Sequence, residues 1–499
     1  MFKLIINLII TIFASQAFGN TCDVTTLPDL PDVTINEFVE KEAPVPHCMA
    51  AGVIVTEIKF ELLLPKKWNG KFVMGGGGGF VGDVQNMALF LGALQSGYAT
   101  VGTDTGHQGN GLDGSWALNN LERIVNFGHQ AIHRTAVTAK ALIRAFYEKE
   151  IQRNYFVGCS TGGRQALMSA QRYPMDFEGI VSGAPAYNWS GLAAQGIQIQ
   201  QHMFPDQGNL EQAVVTQADQ DLLEAAIMKQ CDAMDGIEDE ILNDPRECDF
   251  DVTSLSCEQG KADACLNANK LKAIQSIYDG QNGDLFHGYP FGGESAKSGW
   301  SRWLTGGMVG GLTSLADGRP PPQIPNLIYG FSTNIMKYFI YQDADWNYQN
   351  FDISTYRKDS EVIAATVNAT NPDLSSFRDR NGKLLMYHGW SDSALTALGT
   401  VNYYEQVLAQ DQQAMDFTRL FMMPGVLHCR NGKGPSLVNF LDELDQWVES
   451  GDAPDQITAY FMDAERKPSG SRILCPYPQK AEYDGHGDPQ KGSSFSCSE

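Results

Sequence analysis

NYFVGCSTGGRQALMSA, residues 154–170, runs from an apolar strand-like segment, through a glycine-flanked turn, into a helix-like segment. At its centre Gly158-Cys159-Ser160-Thr161-Gly162 is a G-x-S-x-G pentapeptide. The pentapeptide alone recurs by chance, and its bland alternative is a Gly-rich connection. A strand before it and a helix after it make it a nucleophile elbow, where small flanking residues allow a tight turn that lifts a serine hydroxyl clear of the backbone. Ser160 is therefore the candidate nucleophile. Cys159 is the weaker candidate, because an odd free thiol does not persist in an oxidising compartment.

That compartment is indicated at the amino terminus. Lys3, the apolar run LIINLIITIFA and the small-residue stretch Ala14 to Gly19 have the order of a secretory signal peptide (1–19), cut after Ala17 or Gly19. The run is short for a membrane span of about 20 residues, and polar Asn20-Thr21-Cys22-Asp23 follows it. A soluble secreted or periplasmic protein is expected. Ten cysteines are an even number compatible with five disulfides, and a net charge of −23 argues against nucleic acid as a partner.

Around the elbow, strand-like runs at 53–65, 71–74, 97–102, 154–158 and 179–183 alternate with helix-like ones at 129–149 and 161–174. Several runs are apolar without alternation, as in strands buried on both faces, so an α/β fold with a mainly parallel sheet is expected. The rhythm stops near Trp189 and resumes at KLLMYHG (383–389) and FTRLFMM (417–423). This predicts a core in two parts, 20–189 and 381–499, around an inserted lid domain at 190–380.

A serine nucleophile on this fold takes its acid and base in the order Ser, Asp or Glu, His. His428, in the late loop FMMPGVLHCRNGKGP, is the candidate base. His107, His129 and His133 precede the serine, and His388 lies at a strand end and reads as a packed structural residue. Asp392, just beyond KLLMYHGW, is the candidate acid, although Ser391-Asp392-Ser393 also suits a turn or helix cap. Asp411 and Asp416 are fallbacks. Oxyanion donors are expected from the amide of Thr161 and from the loop MGGGGGFVG (74–82), with Gly78 as the chosen glycine. No Gly-Lys-Ser/Thr closes that loop, so it is not a phosphate-binding loop. Cys429 follows His428 as Cys159 precedes Ser160. If Ser160 and His428 meet, the two cysteines are close enough to bond, since bridged Cα atoms lie about 4.4–6.8 Å apart.

Together Cys159-Ser160, His428-Cys429, Asp392, GGGGGFVG, TDTGHQG (103–109), FEGIVSGAPA (177–186) and LCPYP (474–478) make the chain resemble the tannase and feruloyl esterase family. The resemblance spans about Cys22 to Cys497. It implies an α/β-hydrolase fold with a lid, a Ser160-Asp392-His428 triad, and the pairs Cys22–Cys48, Cys159–Cys429, Cys231–Cys248, Cys257–Cys265 and Cys475–Cys497. The implied activity is hydrolysis of feruloyl, galloyl or hydroxycinnamoyl esters, free or attached to plant polymer. The family also includes a hydrolase of mono(2-hydroxyethyl) terephthalate. An acyltransferase would share the triad, whereas a calcium-dependent binding module would leave Ser, Asp and His unexplained.

CDAMDGIEDEILNDP (231–245) gathers carboxylates around Gly236 without the 1-3-5 spacing of an EF-hand. Its residues leave a Ca²⁺ site and an acidic solvated loop equally open. The family resemblance implies a structural Ca²⁺ held by Asp232, Asp235 and Asp239 with backbone oxygens of Ile237 and Ile241. No organic cofactor is implied. Trp300 and Trp303 in SGWSRWLTGG (298–307) could stack on an aromatic acyl group or form lid core, and Leu395 is a further candidate contact.

Overall fold

The computed structural model describes residues 21–257, 264–280, 286–306, 324–463, 465 and 467–499; the expected signal peptide lies outside them. A nine-stranded sheet forms the centre: β1 (Val33–Lys41), β2 (His47–Ile54), β3 (Ile58–Pro65), β4 (Lys71–Gly75), β5 (Ala99–Thr103), β6 (Arg153–Cys159), β7 (Gly179–Gly183), β8 (Lys383–Gly389) and β9 (Thr418–Met423). Its order is β1-β2-β3-β5-β4-β6-β7-β8-β9. The run at 53–65 is not one strand. The polar residues Thr56 and Glu57 mark a hairpin turn between β2 and β3, which pair antiparallel.

From β5 onward all pairs are parallel. Strands β5 and β7 are buried along their whole length, which accounts for their unalternated apolar sequences. Helices Ala131–Tyr147, Thr161–Arg172 and Ala397–Gln410 pack on one face, and Phe440–Ser450 with fully buried Trp447 packs on the other. The chain visits β4, then β5 on one side of it, then β6 on the other. At such a switch point the loops at the carboxyl ends of neighbouring strands open a crevice. The register Gly75↔Val157 sets the glycine loop after β4 beside the serine turn after β6.

Strands β7 and β8 are neighbours in the sheet, yet nearly two hundred residues separate them in the chain. The described part of that stretch is helical, with Trp189–Met203, Gln217–Cys231, Ala268–Tyr278 and Leu327–Asn334 as its longer elements. One of its cores is its own, built on Ile199, Leu223, Ile274 and Trp300. A second core is shared with the glycine loop, where Phe80 meets Trp189, Phe331 and Phe339. The architecture is that of an α/β hydrolase carrying a helical cap. Two short hairpins, Ile457–Leu474 and Lys480–Ser498, complete the carboxyl terminus.

Arg164 fastens these layers together. It is fully buried, and burial pushes its pKa down to about 9. Its guanidinium donates to the carbonyls of Gly128, Val367 and Phe127 at 2.8–3.1 Å and lies 4.7 Å over the Phe127 ring. It thereby ties the helix after Ser160 to the end of the cap segment. Arg164→Met should strand three buried carbonyls and destabilise the protein by about 3 kcal/mol or more, read as a lowered urea midpoint. Arg164→Lys should recover only part of the loss, because one ammonium does not reproduce the planar fork.

Candidate active site

Ser160 sits between β6 and the helix Thr161–Arg172 with φ 64° and ψ −123°, a left-handed backbone uncommon outside glycine. Its N–H donates to Gly183 O at 3.0 Å, and its carbonyl accepts from Arg164 and Ala186. A Cβ on Gly158 would lie 2.4 Å from the Gly162 backbone, which is why the pentapeptide needs glycine there. The Thr161 hydroxyl donates to Gly79 O at 2.7 Å and joins the elbow to the glycine loop. Gly78 does not offer a free amide: its N–H donates to Gln85 Oε1 at 2.8 Å. Gly79 N–H has no acceptor among the described residues, and Gly79 also faces the chamber in front of Ser160.

Asp392 is buried at the end of β8. Its Oδ1 accepts the amides of Ala394 at 2.7 Å and Leu395 at 3.1 Å, so the predicted turn geometry coexists with the predicted acid. Its Oδ2 accepts from His428 Nδ1 at 2.7 Å and from His388 Nε2 at 3.0 Å. Burial pushes the carboxyl pKa up, but the two imidazoles outweigh it and hold the group well below the ordinary carboxylate range. His388 is thus more than a packed residue. Its Nε2 faces two acceptors, Asp392 and the Leu395 carbonyl, so that nitrogen carries the proton, while Nδ1 meets Thr400 Oγ1 at 2.7 Å. A histidine four residues before the acid was the available sequence signal. Asp411 instead pairs with Arg378, His133 pairs with Asp176, and His107 is buried against Trp116.

His428 and Ser160 line one cavity of about 740 Å³. Ser160 Oγ makes no hydrogen bond to His428 among the described residues, a contact that is often long in substrate-free hydrolases. What holds the two loops together is Cys159–Cys429, with Cα atoms 6.0 Å apart. The other four disulfides also join the cysteines the family resemblance implied. Trp303 and Leu395 line the cavity with Phe80, Trp189 and Phe331. The Trp303 ring stands edge-on 5.1 Å from the His428 imidazole. Trp300 does not line it. It is 2% exposed and packs on Tyr278 in the cap core, whereas Trp303, one turn on, reaches Phe331 and His428.

The carboxylate loop lies apart from this cavity. Asp232 Oδ1, Asp235 Oδ1 and Asp239 Oδ1 accept the amides of Asp239, Ile237 and Ile241. Arg472 meets Asp239 Oδ2 at 2.7 Å. Burial, with the nearby Asp239 and Asp232 charges, raises the Asp235 pKa to about 6. Among the described residues no three acidic, His or Cys side chains already converge on a metal position. The donors are nevertheless all hard oxygens crowded in one turn, a set that suits Ca²⁺.

The Cys159–Cys429 bridge closes a sequence separation of 270 residues. In the chain-entropy model such a loop is worth roughly 5–6 kcal/mol before native strain. Replacing both cysteines by serine should lower kcat/KM for an aryl ester by more than about tenfold while circular dichroism stays native, since misplacing reacting groups by about 1 Å is that costly.

The tannase and feruloyl esterase family matches residues 43–498. The chain is 32% identical to mono(2-hydroxyethyl) terephthalate hydrolase of Piscinibacter sakaiensis, over 90% of this chain and 84% of that protein. It is 30% identical to a probable feruloyl esterase B-2 of Aspergillus terreus, over 97% and 92% of the two chains. Its structure resembles that of feruloyl esterase B from Aspergillus oryzae, with a TM-score of 0.84 at 25% identity over 96% and 99% of the chains. With this agreement over nearly the whole length, the chain belongs to the tannase and feruloyl esterase family and is a carboxylic ester hydrolase.

Proposed function

We propose that this protein is an exported serine esterase that hydrolyses aromatic esters through an acyl-enzyme. One observation carries the reading: Ser160, in a strained elbow, shares a cavity with His428, and the buried Asp392 holds His428 by Nδ1. With Nδ1–H given to Asp392, His428 presents Nε2 as the base. His428 takes the Ser160 proton as Oγ attacks the ester carbonyl. The amides of Thr161 and Gly79 receive the oxyanion, Gly79 replacing Gly78 because the latter is already bonded. His428 then returns the proton to the leaving alcohol, and water attacks the acyl-Ser160 by the same route.

Aromatic acyl groups are supported by the Trp303, Phe331 and Trp189 walls and by the names of the relatives. Export is supported by the five disulfides and by the leader-like first nineteen residues; no helix among the described residues is long and apolar enough to cross a membrane. Ca²⁺ in the loop of Asp232, Asp235 and Asp239, with carbonyls of Ile237 and Ile241, is part of the same reading. Its role is structural, neutralising carboxylates that otherwise repel one another.

Ser160→Ala should remove hydrolysis of methyl ferulate and p-nitrophenyl esters and labelling by a fluorophosphonate, with the melting curve unchanged. Retained turnover would place the nucleophile elsewhere. Metal stripping with EDTA should lower the melting temperature by about 2–5 °C, restored by Ca²⁺. An unchanged melting temperature in a metal-stripped sample removes the calcium assignment.

A further inference from the structure

The stretch TDTGHQG (103–109) begins on the last residue of β5 and has no part in the chemistry proposed above, yet it holds a buried carboxyl group and a strained turn. Asp104 is 1% exposed. Its Oδ1 accepts the amides of Lys59 on β3 at 3.0 Å and of Gly106 at 2.8 Å, and its Oδ2 accepts from Gln108 Nε2 at 2.8 Å. Thr105 is buried at φ 65°, and Gly106 follows at 85°. A β-branched residue in the left-handed region is an outlier that persists only where its surroundings determine it. Here the Asp104 carboxyl group supplies that constraint, spanning the turn from β3 to Gln108.

This turn runs against the glycine loop. The Asp104 carbonyl accepts from Gly82 N–H at 3.2 Å, Gly109 N–H donates to Gly82 O at 2.9 Å, and Phe80 N–H donates to Gly111 O at 2.9 Å. Just before the turn, Thr103 exchanges two backbone bonds with Gln85 at 3.3 Å, and the Gln85 side chain takes the Gly78 amide. Gly79 is therefore bracketed. The amides of Gly78 and Phe80 on either side of it both trace to residues 103–111, and its carbonyl is held by the Thr161 hydroxyl. The two segments lie so close that a Cβ on Gly79 would be 2.3 Å from Gly111 O. A displacement of residues 104–111 would carry the open Gly79 amide with it.

We propose that Asp104 is a positioning residue for the oxyanion: by fixing the turn at residues 104–109, it holds the Gly79 amide where the tetrahedral intermediate needs it. This rests on the serine-esterase reading above and extends it to a carboxyl group that does not line the cavity. An oxyanion donor matters more to the transition state than to the bound ester, because charge develops on that oxygen only as Ser160 attacks. Loss of Asp104 should accordingly appear in kcat rather than in KM.

Asp104→Ala, Asp104→Ser and Asp104→Asn separate this role from one in folding alone. Asparagine keeps an oxygen for the Lys59 and Gly106 amides, serine reaches only the amide two residues on, and alanine reaches neither. With methyl ferulate, Asp104→Ala should lose about 30- to 100-fold in kcat with KM within about twofold, the scale of one misplaced oxyanion donor. Asp104→Asn should stay within about fivefold of the native protein, with Asp104→Ser between the two. Phenylboronic acid forms a tetrahedral adduct with a reactive serine that places an oxygen in the oxyanion position. Its inhibition constant should rise in step with the loss of kcat/KM across the variants. Affinity for ferulamide, an uncleaved planar analogue, should stay within about twofold. All values are referred to the fraction of protein labelled by a fluorophosphonate at its end point, so that misfolded protein does not enter.

A kcat for Asp104→Ala within about threefold of native overturns the proposal. So does a boronate affinity that stays constant, or a ferulamide affinity that falls as far as kcat. If Asp104→Ala yields no folded protein, Asp104→Ser is judged by the same limits. Each of these outcomes, with native hydrolysis lost in Ser160→Ala, leaves the serine-esterase reading standing. Native protein that the boronate does not inhibit, or hydrolysis that survives Ser160→Ala, overturns that reading and this one with it.

Discussion

The backbone of Ser160 is the constraint on which the rest of the site depends. A non-glycine residue held at φ 64° costs about 1–3 kcal/mol and persists only when its surroundings determine it from several sides. Here β6 delivers the residue, its N–H donates to Gly183 at the end of β7, and its carbonyl accepts from Ala186 just beyond. The helix that starts at Thr161 is anchored through buried Arg164 to carbonyls of Phe127, Gly128 and Val367. The parallel sheet, the glycines of the turn and the end of the cap thus converge on one strained residue. The hydroxyl is held clear of the backbone because relaxation is blocked on every side.

The candidate base and acid are supported differently. His428 lies on a loop after β9, where the sheet alone does not determine its distance from Ser160. The Cys159–Cys429 bond supplies that constraint by joining the residue before Ser160 to the residue after His428. Asp392 is determined by saturation: two amides and two imidazoles surround a carboxylate that would otherwise be costly to bury. His388 completes that set. The cap then closes the cavity with aromatic side chains, Trp303 and Phe331 among them.

Much of this was legible in the sequence because it depends on local spacing. G-x-S-x-G between an apolar run and an amphipathic one allows few geometries. The order of Asp392 and His428 along the chain follows from the order of the sheet's later strands. Cysteines adjacent to Ser160 and His428 carried long-range information that a single sequence rarely holds. Misreadings came where the outcome depends on which neighbour a group finds. The amide of Gly78 is taken by Gln85, seven residues on, so Gly79 is left open. Trp300 is buried in the cap core, while Trp303, one turn further on, is only partly covered and lines the cavity. The polar interruption at Thr56-Glu57 was masked by the apolar residues around it.

The sequence by itself determined the α/β rhythm, the tight turn at Ser160 and the choice of Asp392 and His428 as candidate acid and base, because each rests on residue types at fixed separations along one chain. The tertiary structure alone decided that the Gly78 amide bonds Gln85, that His388 joins Asp392, and that Trp303 rather than Trp300 lines the cavity. Those properties belong to groups with more than one possible partner. Their hydrogen bonds and charges acquire meaning only when folding settles which partners are near and which are absent.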